Sequence, residues 1–193
     1  MILLGRAHSA DAQGASIGYL TEWAISKDII DSASECLDAL HCPNIKLSGD
    51  LDLRLECENR LSDVLTVDCI LEPHCNWSSD PGQRGCFALC WHDSAKGVCL
   101  ARLVIEKLAE LMHTQGVCLC DRDERWIGTP RHYRDEHSAL GLLMRTKCPA
   151  VIVECCHLSN ADDAAWIGEI AHRQMVGRAI GEAVKLFVQG GIK

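Results

Sequence analysis

The run "VLTVDCILEPHCN", Val64 to Asn76, begins as an apolar, β-prone stretch and ends, within four residues, on Pro73, His74, Cys75 and Asn76. Five further runs share its apolar character: "MILLG" from Met1, "NIKLSG" from Asn44, "GCFALCW" from Gly85, "GVCLCD" from Gly116 and "AVIVECC" from Ala150. Several are apolar on consecutive residues, the pattern of strands covered on both faces. Between them lie stretches with apolar residues at helical spacing. These are Ile17 to Leu40, closed by Pro43, then "LECENRLSDVL" from Leu55, Ser94 to Met112 with Ser94 placed as its cap, and Gln174 to Val188, ended by a Gly-Gly pair. A chain of 193 residues suffices for one core, so residues 1–193 are expected to form a single domain with no second, separate domain. The alternation predicts an α/β fold with a mostly parallel or mixed central sheet of about six strands and helices on both faces. From about Asp121 to Arg134, "DRDERWIGTPRHYR" follows neither period and reads as a long loop of the kind that borders binding sites.

Composition narrows the function. The formal charge of −8 argues against a nucleic-acid partner, which a basic patch or stripe would announce. No apolar run approaches the roughly 20 residues that span a bilayer, so membrane insertion is not expected. The N-terminus carries no basic leader, which predicts synthesis in the cytoplasm without a signal peptide. Thirteen cysteines are an odd count with no CxxC spacing, so they read as reduced thiols that pack as small hydrophobes. Oligomeric state is not legible.

Ligands of open α/β sheets sit beyond the carboxyl ends of the strands. At that end "MILLGRAHS" leads into His8, the Val64 run leads into His74, and "AVIVECC" carries Glu154; Glu22 lies near the start of the first long helical stretch. Two imidazoles and a carboxylate are a sufficient set of protein ligands for a catalytic zinc, and a second carboxylate can move protons beside it. Glu154 interrupts an apolar run and suits that second role. Each residue also has a plain reading: His8 and His74 as hydrogen-bonded core or surface histidines, Glu22 as a polar helix position, and Glu154 as the cap of a helix starting in "SNADDAAW". A thiol enzyme is disfavoured, because the sequence neighbours His74 and Cys75 point to opposite faces of a strand.

Taken in order, the pieces resemble the zinc-dependent N-acetylmuramoyl-L-alanine amidases of the amidase-3 type, found in bacterial wall hydrolases and phage endolysins. "GRAHSADAQGAS" is similar to the family's first histidine loop, with Ala7 and Ser9 where glycines are usual, and "EW" in "YLTEWAISKDI" to its helix glutamate. "ILEPHCN" is similar to the strand ending in the second histidine, and "PAVIVECCHLSNADDAAWI" to the closing strand with the catalytic glutamate. The resemblance implies one Zn²⁺ held by His8, Glu22 and His74, Glu154 as catalytic acid and base, and peptidoglycan as partner. The implied reaction is hydrolysis of the amide between N-acetylmuramic acid and L-alanine. An endolysin acting on the wall after release is the expected role. Asn76, His92, Arg131 and Arg134 are candidate substrate contacts, an arginine pairing with a stem carboxylate. Two alternatives remain open: a zinc carboxypeptidase-like peptidase, although His8 and Glu22 stand fourteen residues apart, and a non-catalytic wall-binding module on the same fold.

Overall fold

In the computed structural model, residues 1–91, 93–114, 127–128 and 141–190 are described. Five of the six apolar runs form strands; the sixth, Gly116 to Asp121, lies outside the described residues. In chain order the elements are β1 (Ile2–Gly5), β2 (Ser16–Ile17), β3 (Leu20–Thr21), α1 (Glu22–Ala39), β4 (Asn44–Leu47), α2 (Leu51–Val64), β5 (Cys69–Asn76) and β6 (Phe87–Cys90). There follow α3 (Ala95–Thr114), β7 (Ile127–Gly128), α4 (Gly141–Arg145), β8 (Ala150–His157), α5 (Ala161–Gly168) and α6 (Ile170–Gly190). The main sheet runs β4-β1-β5-β8-β6-β7. Its first four strands are parallel, β6 is antiparallel to β8, and the two-residue β7 is parallel to β6. The sheet is therefore mixed, and helices cover both of its faces.

Strand periodicity assigns the two layers. Ile2, Leu4, Cys69, Leu71, Ala88, Cys90, Val151 and Val153 face one core, shared with α1, α3 and α6. Leu3, Ile70, Leu89 and Ile152 face the other, shared with Leu55 of α2 and with Leu142 and Leu143 of α4. Where α6 crosses α1, a Cβ on Gly177 would overlap the Ile29 carbonyl, so glycine lets the two backbones approach.

Helix ends follow local chemistry. The helical spacing from Ile17 predicts an earlier start than the one observed. Residues before Glu22 instead form the β2–β3 hairpin, and the Thr21 hydroxyl caps α1 by accepting from the Ala24 N–H at 3.3 Å. At the other end, His41 is left-handed, with φ of 56°, and the Cys42 N–H reaches the Leu37 carbonyl at 2.8 Å. That turn closes the helix before Pro43. Asp50 caps α2, Ser94 caps α3 as expected, and Asn160 caps α5.

The strand that deciding run forms is shifted along the chain. Val64 closes α2, and β5 starts only at Cys69 and continues through Pro73 and His74 to Asn76. Pro73 sits inside the ladder, opposite Val153. The Ile70 N–H bonds toward the β8 side, and alternation turns position 73 toward β1, whose pairing with β5 ends at Leu71. Proline thus occupies a position where no ladder hydrogen bond is lost.

Candidate metal centre

The fold brings His8, Glu22 and His74 together: one ligand atom from each lies within 4.8 Å of the others. His8 follows the end of β1 in a left-handed conformation, with φ of 62°. Such a conformation costs on the order of 1–2 kcal/mol for a residue with a Cβ. The loop holds it by hydrogen bonds from the Ala7 N–H to the Ser26 hydroxyl at 2.9 Å and between the Ser9 and Ala12 backbones. Ala7 and Ser9 are thus compatible with a defined turn at the positions where glycines are usual.

Glu22 is the first residue of α1, where a carboxylate is favoured by the helix dipole. Its Oε2 accepts from the Ala15 N–H at 3.0 Å and its Oε1 from the Cys75 N–H at 3.1 Å. The same oxygens meet the imidazoles, His8 Nε2 at 2.9 Å and His74 Nδ1 at 2.7 Å. Burial opposes the charge, but the hydrogen bonds to His74 and His8 outweigh it and hold Glu22 well below the usual carboxylate range. Gly14, with φ of 73°, passes directly over the group; a Cβ there would overlap both the Glu22 carboxylate and the His8 ring. The His8 and His74 rings stand edge to face with centroids 5.3 Å apart.

His74 lies on β5 opposite Glu154 of β8, which places both on the same sheet face. Burial disfavours a charged His74, but Glu22 and Glu72 on its two nitrogens push it up to about 10 in the absence of a cation. Glu154 is half-buried, and its Oε2 is shut off from solvent with no hydrogen-bond partner among the described residues. Burial pushes its carboxyl up to about 7, with Glu22 adding to the rise and His74 opposing it. A carboxyl that titrates near neutrality both accepts and gives a proton readily.

The donors fit a divalent zinc ion: two imidazole nitrogens and a carboxylate converge, a glycine keeps the space clear, and a free carboxylate oxygen stands beside them. A cavity of about 200 Å³ opens at the group, lined by His8, Ser9, Asp50, Arg54, Glu72 and His74 among others. Of the candidate substrate contacts, Asn76 ends β5 with its Nδ2 against His157 Nε2 at 3.0 Å. His92, Arg131 and Arg134 lie outside the described residues. So does most of the expected loop from Asp121 to Arg134, within which Ile127–Gly128 pairs with β6.

Sequence reasoning missed two side chains of the site. Glu72 and Arg54 form a buried ion pair at 2.9 Å beside His74. The signal for Glu72 was present, since a residue two positions from His74 on a strand shares its face. Nothing local marks Arg54, which precedes the helical stretch read from Leu55 and joins α2 only in the structure.

The model of one protein family, described as N-acetylmuramoyl-L-alanine amidase, matches residues 2–186. No curated protein sequence matches. Solved structures share the fold. The CwlD amidase of Clostridioides difficile, in complex with the GerS lipoprotein, aligns with a TM-score of 0.80 at 16% identity, covering 98% of each chain. An N-acetylmuramoyl-L-alanine amidase of Nostoc punctiforme aligns at 0.80 and 15% identity, covering 97% of this chain and 96% of that one. The catalytic domain of an endolysin targeting Clostridia difficile aligns at 0.70 and 16% identity, covering 95% and 96%.

Proposed function

The chain belongs to the N-acetylmuramoyl-L-alanine amidase family matched over residues 2–186, and from that premise we propose that it is a zinc-dependent amidase. It would cleave the bond joining the lactyl group of N-acetylmuramic acid to L-alanine in peptidoglycan. The observation that carries this reading is the convergence of His8, Glu22 and His74 within 4.8 Å, next to a Glu154 carboxyl whose Oε2 has no hydrogen-bond partner among the described residues. His8, Glu22 and His74 would hold the zinc, which when bound supplies a Lewis acid for the amide carbonyl and for the attacking water.

The chain's own residues account for the proton. Glu154 takes a proton from the water as its oxygen bonds to the carbonyl carbon. As the C–N bond breaks, Glu154 passes that proton to the departing L-alanine amine, leaving a carboxylic acid on the sugar. Burial raises this carboxyl above the usual carboxylate range, which suits one group to both steps. Glu22, locked by two backbone N–H groups, stays ionised and is held in place as the carboxylate ligand. A family match to amidases favours this reaction over the carboxypeptidase-like one.

Within the same proposal, the protein is made in the cytoplasm and acts on the wall after release, as an endolysin does. Eleven free cysteines among the described residues are in keeping with folding in a reducing compartment. The test is digestion of purified peptidoglycan with and without a chelator, following new N-terminal alanine. Zinc-dependent appearance of alanine is the expected outcome; lysis that survives complete zinc removal refutes it. For the role, expression in the cytosol should leave cells intact until their membrane is permeabilised.

A further inference from the structure

Glu72 has no part in the reaction above, yet it is built tightly against the metal centre. It is 1% exposed and lies in a bidentate pair with Arg54, itself 3% exposed. Arg54 Nε donates to Oε1 at 2.9 Å and Nη2 to Oε2 at 3.3 Å. The remaining arm of the guanidinium, Nη1, donates to the Gly49 carbonyl at 2.6 Å and to the His8 carbonyl at 3.3 Å. Space for the carboxylate is reserved by Gly5 of β1, where a Cβ would collide with it. Oε2 of Glu72 stands 3.4 Å from Nε2 of His74, the ring nitrogen turned away from Glu22.

A metal-ligating imidazole needs its second nitrogen protonated and held, because that proton decides which nitrogen is free to bind. We propose that Glu72 is the positioning residue for His74: it accepts the Nε2–H, and so fixes the tautomer and ring plane that present Nδ1 to the metal. Arg54 is its anchor. By gripping Glu72 with one edge and the His8 carbonyl with the other, a single buried guanidinium ties both histidines to α2. The two-residue spacing of Glu72 and His74 is what makes this possible, since a strand turns both side chains to the same face.

This inference rests on the zinc reading, and its test separates the two. Zinc affinity of the wild type and of Glu72→Gln is measured by competition with a chromophoric chelator, alongside the melting temperature of the metal-free proteins. The amide keeps the shape and loses the charge, so zinc binding should weaken by about 10- to 100-fold while the metal-free fold persists. Affinity within twofold of wild type overturns the role of Glu72 alone; a wild type that does not bind zinc overturns the zinc reading itself. Should the variant fail to fold, ¹⁵N imidazole spectra of the zinc-loaded wild type decide. A proton on His74 Nε2 supports the proposal, and a proton on Nδ1 overturns it.

Discussion

Strand β5 carries different chemistry on its two faces. Leu71 and Cys75 enter the core shared with α1, α3 and α6, where the buried thiols of Cys155 and Cys156 also lie. Glu72 and His74 point the other way, toward α2 and the cavity, with Glu154 of β8 beside them. Burial raises the Cys155 thiol well above its ordinary value, and on Cys75 a hydrogen bond to Cys156 joins burial in doing so. Thiols in that state are neither nucleophiles nor metal ligands. On the opposite face burial is as deep, yet Glu22, Glu72 and His74 each have an opposite charge or a backbone N–H against them. The comparison teaches that burial alone says little about function. What separates the faces is whether the buried group is given a partner that keeps it charged.

The division is open to attack from its strongest point downward. His74→Ala removes a proposed ligand, so zinc content should fall close to zero and amidase activity to background. Metal analysis that finds full occupancy would remove His74 from the centre. Glu154→Gln leaves the ligands untouched, and turnover should drop by about 10²–10⁴-fold with zinc retained. Near-normal turnover in that variant would mean that some other group moves the proton.

Glu58 tests the same face away from the metal. It is fully buried on α2, and neither carboxylate oxygen has a hydrogen-bond partner among the described residues, where Arg54 is committed to Glu72. Burial raises it to about 8, with Glu72 adding to the rise and Arg54 opposing it; Cys148 also faces it. The folded protein therefore keeps a proton that the unfolded chain releases near pH 4.5, and stability falls as pH rises from there toward 8. Glu58→Gln should flatten that slope and be more stable by about 1–3 kcal/mol at pH 8, read by denaturant unfolding at pH 5 and pH 8. An unchanged slope would place the charge elsewhere. The smallest effect is expected on the other face: Cys75→Ala should cost about 1 kcal/mol and leave turnover within twofold, because its contact with Glu22 is made by the backbone N–H. Loss of activity there would revive a thiol mechanism.

Much of the architecture was legible because it is written in period. Apolar runs and helical stripes are local, and five of the strands appear where those runs stand. Errors cluster at boundaries. Ile17 is apolar and fits a helical stripe, but Thr21 offers a better cap; Val64 looks like a strand, but it completes a helix whose start is capped by Asp50. The candidate ligands were legible as types at strand ends, and the family resemblance ordered them. Their convergence was not, because His8 and His74 stand sixty-six residues apart and meet only through the pairing of β1 with β5.

By itself the sequence determined the layered α/β plan, the free thiols and the kinds of group available at the sheet's carboxyl edge, since each depends on residue type and short-range spacing. Tertiary structure alone decided the rest. It set Pro73 within the ladder and placed Arg54 where one guanidinium spans Glu72 and the backbone of His8. These depend on which strands pair and which helix covers which face. A buried charge is stable only against the partner that such packing delivers.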